Sequence, residues 1–315
     1  MAIDPIIGSA SIELLKLLDN QGAKSGLENV LFPYRDITKK AVDIYISEIE
    51  KMDISPEEKV FLILRAKKTI KKIKNQKSIA DIAIENAKDG TDFSNESGVR
   101  EEWIERFMDS AGYVSEKEMQ IIWGKILANE FENPGKTPPN MIRILSEMTS
   151  QMAKAFCSIC NMNIILFSVD SKGEITRAAE KVLVPFENNT TFMVENDVTF
   201  DILNELESQG LITFDSLFGF LTDVHFENQE KNYFSVKEKV FRIDSCQGNG
   251  LPIGSVLLTK SGECLKQVVE KKQLKDYDKE VEQYFQKNKV EYEFSGDYEI
   301  QMGQDEKKYI KKVYE

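Results

Sequence analysis

The chain has 315 residues, of which 41% are hydrophobic and 30% are charged, and its formal net charge is −12. This length and composition predict two globular domains of ordinary size and exclude a largely disordered chain. The acidic excess argues against a protein that coats nucleic acid, because unspecific attraction to phosphates needs an excess of Lys and Arg. Residues 1–165 carry 22 basic and 25 acidic side chains, while residues 166–315 carry 19 and 28, so the acidity is concentrated in the second half.

The few cysteines and the N-terminal residues suggest a compartment. Four cysteines, Cys157, Cys160, Cys246 and Cys264, are too few and too scattered for the disulfide framework of a small secreted domain. Residues 1–22 are apolar in parts, but charged residues interrupt them, so they fit neither a signal peptide nor a membrane span. We predict an amphipathic helix there and a cytoplasmic location.

The chain up to about residue 161 contains only helical patterns. Ser55, Pro56 and the two glutamates that follow form a strong start signal, which predicts a long helix from about 56 to 88. A loop at 88–98 ends it. Further helices are predicted within 36–52, 99–112, 115–135, 137–150 and 151–161. Thr137 is expected to cap the helix whose apolar stripe contains Met141, Ile144, Leu145 and Met148.

The most strongly patterned helix lies within residues 115–135. Its apolar residues recur at three- and four-residue steps, which places them on one helix face: Met119, Ile122, Trp123, Ile126, Leu127 and Phe131. Ser115 and Glu118 have the spacing of a capping box, and Asn133-Pro134-Gly135 stops the helix. The pattern therefore predicts a core helix.

The second half changes to mixed patterns. Strands are predicted near 163–186, and a short helix that ends at Gly210 is followed by a strand beginning at Leu211. Strand-like runs at 239–245 and 255–259 and a helix after Thr259 complete the order expected of a winged-helix-like module. We predict an α+β chain with an all-α helical domain at 1–161, a smaller winged-helix-like α+β domain at 162–273 and a charged extension at 274–315, with possible strands at 290–294 and 298–302.

The sequence contains no set of residues with the types and spacing of a catalytic site. The single histidine, His225, excludes most Ser-His-Asp, Cys-His and multi-histidine metal schemes. Cys157 and Cys160 form a C-x-x-C at the end of a predicted helix, which is the wrong context for a thioredoxin motif and lacks the second pair of a zinc site. The glycines of residues 247–254 lack the spacing of a phosphate loop. The sequence predicts no cofactor and no metal site.

One charged stretch is a candidate binding region. Residues 59–80 contain eight basic side chains and no acidic one, in an acidic protein. On a helix, Ile63, Ala66, Ile70 and Ile73 share one face, and the cations fan across the other: Arg65, Lys67, Lys68, Lys71, Lys72 and Lys74. Three interpretations remain open, namely a solvated face or partner for the acidic half, a nucleic-acid contact, and a contact with an acidic protein or anionic membrane.

Residues 112–156 resemble the core of the Abi-alpha (abortive infection alpha) domain and a related domain family of unknown function. The shared wording is roughly V-S-x-E-x-Q-x-x-W-x-x-I-L-A-x-E, a Pro-Gly turn and two following helices. The matching residues are Ser115, Glu118, Gln120, Trp123, Ile126, Leu127, Ala128, Glu130, Pro134, Gly135, Ile144, Leu145, Ala153 and Phe156, while Met148 replaces the usual Leu. The resemblance spans about residues 25–160 and implies a helical module linked to phage defence, without an established chemistry.

The resulting expectation is a non-enzymatic interaction protein in bacterial antiphage defence, acting as a sensor, adaptor or regulator. A protein partner is expected; nucleic acid and a second copy of the chain remain open, and a peripheral membrane contact is disfavoured. A nucleic-acid-binding protein that uses the basic helix and the winged-helix-like domain is the first alternative. A carboxylate- or metal-dependent enzyme is the second.

Overall fold

The computed structural model describes residues 46–93, 98–171, 174–187, 190–224, 231–246, 250–302 and 308–312, with side chains up to residue 296. These residues form a mixed α+β protein with an antiparallel sheet. The chain divides into two compact units between Glu147 and Met148. The predictions for residues 1–22 and His225 fall outside the described residues. Of the helix predicted within 36–52, residues 46–51 are described and helical.

The first unit is helical. Its helices are α1 (Pro56–Asn86), α2 (Glu101–Ala111), α3 (Lys117–Glu132) and α4 (Met141–Glu147). The predicted start of α1 is confirmed, because the backbone N–H of Glu58 donates to Ser55 Oγ at 3.2 Å and the backbone N–H of Ser55 donates to Glu58 Oε2 at 3.0 Å. Pro56 occupies the first turn, where its missing N–H costs no hydrogen bond.

Helix α3 lies at the centre of this unit and is buried around most of its circumference. Five of the six residues of the predicted apolar face are buried and Ile122 is half-buried, while Gln120, Gly124, Ala128, Asn129 and Glu130 are buried as well. Stacked and tilted aromatic rings join α2 to α3, since Phe107 lies 4.8 Å from both Trp103 and Trp123, centroid to centroid. The core contains these apolar side chains: Ile104, Met108, Met119, Ile126, Leu127, Phe131, Met141, Ile144 and Leu145.

Two capping predictions in this unit are wrong. Helix α3 begins at Lys117 after Glu116, with no side-chain cap, and the Ser115 hydroxyl instead accepts a hydrogen bond from Asn75 Nδ2 at 3.3 Å. Helix α4 begins four residues after Thr137, whose hydroxyl has no partner among the described residues. The Ser115 hydroxyl binds Asn75 of α1 and not a backbone N–H of α3, and α4 begins only after Pro138, Pro139 and Asn140.

The second unit contains the remaining elements. They are α5 (Ser150–Asn161), β1 (Asn163–Val169), β2 (Ile175–Val182), α6 (Thr191–Glu195), α7 (Phe200–Ser208), β3 (Ile212–Phe214), β4 (Leu221–Asp223), β5 (Lys231–Val236), β6 (Lys239–Ser245), β7 (Gly250–Pro252), β8 (Val256–Leu258), α8 (Lys260–Lys266), α9 (Tyr277–Lys287), β9 (Glu291–Met302) and β10 (Lys308–Lys312). Helix α5, predicted as part of the helical domain, thus belongs with the second unit by its contacts.

The strands form one larger and two smaller sheets. The six-stranded antiparallel sheet has the order β10-β9-β6-β5-β1-β2, while β3 pairs with β8 and β4 with β7. Residue Val184, just after β2, bridges Gly254 between β7 and β8. Gly210, where the helix α7 was predicted to end, has a left-handed backbone (φ 81°), which glycine adopts without strain because it has no Cβ.

The C-terminal extension is more ordered than the sequence indicates. Helix α9 was not predicted, and the two possible strands at 290–294 and 298–302 are one strand, β9, which joins the sheet beside β6. The Asp278 carboxylate on α9 binds Lys237 Nζ at 2.7 Å and Lys239 Nζ at 2.8 Å, at the turn between β5 and β6. This ion cluster ties the extension to the sheet.

Candidate interaction surface on helix α1

Helix α1 presents two different faces along its first half. Ala66 and Ile73 are buried, and Ile63 and Ile70 are half-buried, as their helical spacing predicts. The opposite side faces solvent from Val60 to Lys74. A helix with one apolar face toward its own unit leaves the other face available for contacts.

Five of the six predicted binding residues lie on the exposed side. They are Arg65, Lys67, Lys68, Lys71 and Lys74. Their charged groups form no ion pair with any side chain in the part of the chain that the structure describes. Lys67 and Lys71, as well as Lys71 and Lys74, are one helical turn apart, a separation at which like charges repel. The surface therefore carries a concentrated positive charge that the described structure leaves uncompensated.

Lys72, the sixth predicted residue, is not part of this surface. Its Nζ lies 3.9 Å from the centroid of the Tyr113 ring and 3.6 Å from Asp109 Oδ1. Hydrogen bonding to the Tyr113 side chain, with smaller charge effects of Tyr113 and Asp109, raises the pKa of Lys72 against the opposing effect of burial. Lys72 thus holds α1 against the end of α2 and the loop after it, which is a structural role.

Three large apolar side chains share the exposed side of α1, and the sequence analysis missed them. The exposed fractions of Val60, Phe61 and Leu64 are 56%, 65% and 60%. At 100° per residue, the directions of Val60, Leu64 and Lys71 around the helix axis differ by no more than about 40°. The apolar side chains near the start of α1 and the lysines further along therefore form one stripe. Val60 and Leu64 are four residues apart and Phe61 and Leu64 are three apart, which is visible in the sequence, but the analysis of the helix followed only the inward stripe of isoleucines. We call these eight residues, Val60, Phe61, Leu64, Arg65, Lys67, Lys68, Lys71 and Lys74, the α1 surface.

Most residues of the sequence motif around α3 lie in the core of the first unit or at its turns, but Glu118 is exposed on α3, and Ala153 and Phe156 are buried on α5 of the second unit. The Glu130 carboxylate is buried and accepts hydrogen bonds from the backbone N–H groups of Gly135 and Thr137, at 2.7 and 3.0 Å. Gly135 has a left-handed backbone (φ 78°), and Pro134 precedes it in this turn. Trp123 is fully buried. These contacts give the motif a role in folding.

A buried polar network explains the motif glutamine. Gln120 Nε2 donates to the carbonyl of Val114 at 2.9 Å, and its Oε1 accepts from the Ser78 hydroxyl at 2.8 Å. Asn75 Nδ2 donates to the carbonyl of Gly112 at 2.9 Å. The network fixes the loop between α2 and α3 on residues 75–78 of α1, directly after Lys74, the last lysine of the exposed stripe. It thereby sets the position of the long helix in the unit.

Potential metal ligands are dispersed among the described residues. Within them, no three His, Cys, Asp or Glu side chains are grouped so that they could hold a metal ion. The four cysteines, which all fall in described ranges, are thiols, and burial raises the pKa of Cys160 far above its usual range. In the same ranges, no helix is long and apolar enough to cross a membrane.

One polar cleft lies in the second unit, beside α6 and α9. Its volume is about 340 Å³, and Glu187, Phe192, Glu280 and Tyr284 are among its lining residues. Burial, and then the charge of Glu187, raises the pKa of Glu280. Lys287 forms an ion pair with Glu187 at the same place. Lys287 thus acts as a counter-ion in this cleft, and the arrangement of the lining residues identifies no ligand.

The comparisons with known proteins place the chain in a family. The family model described as "Protein of unknown function (DUF2806)" matches residues 64–282, which includes most of both units. The chain belongs to this family. No curated protein and no solved structure gives a significant match. The resemblance to the Abi-alpha domain stays a prediction.

Proposed function

We propose that this member of the DUF2806 family is a non-enzymatic interaction module that binds an acidic protein partner through the α1 surface. The observation that carries the proposal is the exposed stripe of Val60, Phe61 and Leu64 beside five cations without an acidic partner in the described structure. Exposed large apolar side chains rimmed by charge are typical of protein contacts, because the apolar part supplies binding energy and the charges select the partner.

The second unit supports a protein partner over nucleic acid. We propose that residues 162–273, from β1 to α8, form a winged-helix-like module, in which α7, Gly210, β3 and β8 follow one another in the expected order. In such modules the helix before the paired strands is the one that enters a DNA groove. The exposed side chains of α7 include Asp201 and Glu205 and no cation. Carboxylates at this position repel phosphates.

A role in antiphage defence is the biological setting that we propose. It rests on the resemblance of residues 112–156 to the Abi-alpha domain, while the cytoplasmic location that we propose rests on the few, scattered cysteines. The α1 surface would then contact a sensor, effector or phage protein with acidic and apolar side chains. The Glu130 and Gln120 contacts hold the motif region together, so the resemblance concerns the scaffold that presents α1.

The test is site-specific photo-crosslinking in bacterial cells that express the full chain, with and without phage infection. A photoreactive residue at Leu64 lies in the α1 surface; the matched control at Ile84 is exposed on the same helix, about 200° away at 100° per residue. We expect one protein to crosslink from position 64 and not from 84. Changing Lys67, Lys68 and Lys71 to Gln should abolish the crosslink, whereas changing the exposed Lys154, Lys271 and Lys275 to Gln should leave it intact. Equal crosslinking from both positions would contradict the proposal.

Fluorescence anisotropy of labelled duplex and single-stranded oligonucleotides distinguishes the nucleic-acid alternative from the protein-partner proposal. Phosphate binding would weaken steeply between about 50 and 200 mM salt and would disappear in the variant with Lys67, Lys68 and Lys71 changed to Gln. We expect no such binding, because the net charge of the protein is −12. Salt-dependent binding lost in that variant would replace the protein-partner proposal.

A further inference from the structure

A second surface of the same chain has the opposite charge. Residues 183–224 contain eight acidic side chains and no Lys or Arg. Asp201 and Glu205, both exposed, lie one turn apart on α7, with the half-exposed ring of Phe200 at the start of that helix. Like charges at this separation repel each other, so an outside cation that pairs with them is favoured.

Large apolar side chains are exposed on the loop after β3, the strand whose last residue packs against the start of this acidic helix. The loop from β3 to β4 carries Leu217 and Phe218, with exposed fractions of 83% and 90%, and Leu221 follows on β4 with 66%. The ring of Phe200 packs against that of Phe214, 5.7 Å between centroids, and Phe214 is the last residue of β3, directly before the loop. We call Phe200, Asp201, Glu205, Leu217, Phe218 and Leu221 the α7 surface.

The loop that carries the apolar side chains is held in one conformation. Asp215 Oδ1 accepts hydrogen bonds from the backbone N–H groups of Leu217 at 2.9 Å and Phe218 at 3.0 Å. The backbone N–H of Phe220 donates to the carbonyl of Gly254 at 2.8 Å. These bonds fix the backbone without covering Leu217 and Phe218. A preorganised apolar projection loses less conformational entropy when it binds.

We propose that the α7 surface of one copy binds the α1 surface of a second copy, so that the chain assembles with itself. Each surface combines about three exposed apolar side chains with charges of one sign, and the signs are opposite. Pairing them buries Phe61 and Leu64 against Leu217 and Phe218 while Lys67 and Lys71 approach Asp201 and Glu205. Complementary charge next to complementary apolar surface is the general requirement for a specific contact.

The contact joins two different surfaces, which determines the kind of assembly. A head-to-tail contact leaves one unused surface at each end, so copies add until a ring closes or an open chain forms. The inference rests on the proposed function, since it identifies the acidic partner of the α1 surface as a second copy. The two can fail separately, because a crosslink from position 64 to a different protein would retain the proposed function and remove self-assembly.

The test is sedimentation velocity of the purified full chain over about 2 to 200 µM at two salt concentrations. We expect a mean mass that rises with concentration and falls as salt increases, because screening weakens exposed charge pairs. The charge reversals Lys67→Glu with Lys71→Glu, or Asp201→Lys with Glu205→Lys, should each raise the dissociation constant at least about tenfold. One chain that carries all four changes should assemble again, because the charges remain complementary.

A second pair of variants tests the head-to-tail geometry. Phe61→Ser removes an apolar contact of the α1 surface, and Phe218→Ser removes one from the α7 surface. Each variant alone should be monomeric, and an equal mixture should form a one-to-one dimer through the two intact surfaces. A wild-type chain that stays monomeric at every concentration would overturn the inference, as would reversals without effect or a four-fold variant that fails to assemble. Circular dichroism of each variant checks that it is folded.

Discussion

Glu130 binds the backbone of Gly135 across the turn that ends α3. The carboxylate oxygen Oε1 accepts the N–H of Gly135 at 2.7 Å, and Oε2 accepts the N–H of Thr137 at 3.0 Å. The side chain is buried, with 3% of its surface exposed. Through these hydrogen bonds, the carboxylate of Glu130 stabilises the segment between α3 and α4.

Replacing Glu130 by Gln should destabilise the first unit. The amide keeps one acceptor oxygen and places an NH₂ group where the second N–H needs an acceptor, which leaves a buried donor unsatisfied. We expect a loss of about 1–3 kcal/mol in the free energy of unfolding, measured by urea denaturation. Glu118→Gln on the same helix, where the carboxylate is exposed, should change stability by less than about 0.5 kcal/mol. Equal effects would show that burial of Glu130 is unimportant.

Gly124 permits the close crossing of α3 and α1. A Cβ at this position would lie 2.5 Å from Ile82 Cγ2 and 3.0 Å from the carbonyl oxygen of Ile79. Gly124→Ala should therefore cost about 1–3 kcal/mol in thermal or chemical unfolding, despite the better helix propensity of Ala. Ile82→Ala removes Cγ2 but keeps Ile82 Cβ, which would lie 2.7 Å from the added Cβ, so the double variant should relieve part of the clash and lose less than the sum of the two single losses. Strict additivity would contradict a clash between these residues.

Asp278 makes part of the stability dependent on acid. Burial raises the pKa of its carboxyl, but hydrogen bonds and charge from Lys237 and Lys239 outweigh this and hold the pKa well below its usual range. Because the folded pKa lies below the unfolded value of about 3.9, the contribution is complete above about pH 4 and is lost as the pH falls further. Asp278→Asn should lower the unfolding free energy by about 1–3 kcal/mol at pH 7.

The same variant should differ less from the wild type in acid. Chemical denaturation between about pH 7 and pH 2 would follow the difference between the two proteins. It should shrink steadily below about pH 4, because protonation removes the charge that the substitution also removes. A constant difference across this interval would mean that Asp278 stabilises the fold through packing and not through its ion pairs with Lys237 and Lys239.

Lys71 and Lys72 are neighbours in sequence with opposite expected roles. Lys72→Gln removes the contact with the Tyr113 ring and Asp109, so the free energy of unfolding should fall by about 0.5–1 kcal/mol. Lys71→Gln changes an exposed side chain and should leave stability unaltered within about 0.5 kcal/mol. Partner crosslinking from position 64 should weaken with Lys71→Gln and persist with Lys72→Gln. Loss of the crosslink only in the Lys72 variant would reverse this assignment.

The helices of the first unit were predictable because local signals agree with their burial. The capping box at Ser55, the three- and four-residue spacing around Trp123 and the stop at Gly135 act over one or two turns of chain. Helix α9 was missed because charged residues outnumber apolar ones in it, and only packing of Val281 and Phe285 reveals its inner face. The Ser115 cap failed because Asn75, 40 residues earlier, binds that hydroxyl.

For the candidate surface on α1, too, one part was predictable from the sequence and another part was not. The sequence by itself determined that a helix with eight cations and no acid runs through residues 59–80, since periodicity and charge are properties of neighbouring residues. Only the tertiary structure decided that Lys72 faces Tyr113, that Phe61 and Leu64 remain exposed, and that the loop with Phe218 projects its side chain outward. Exposure depends on which distant segments pack against a residue, and no local pattern contains that information.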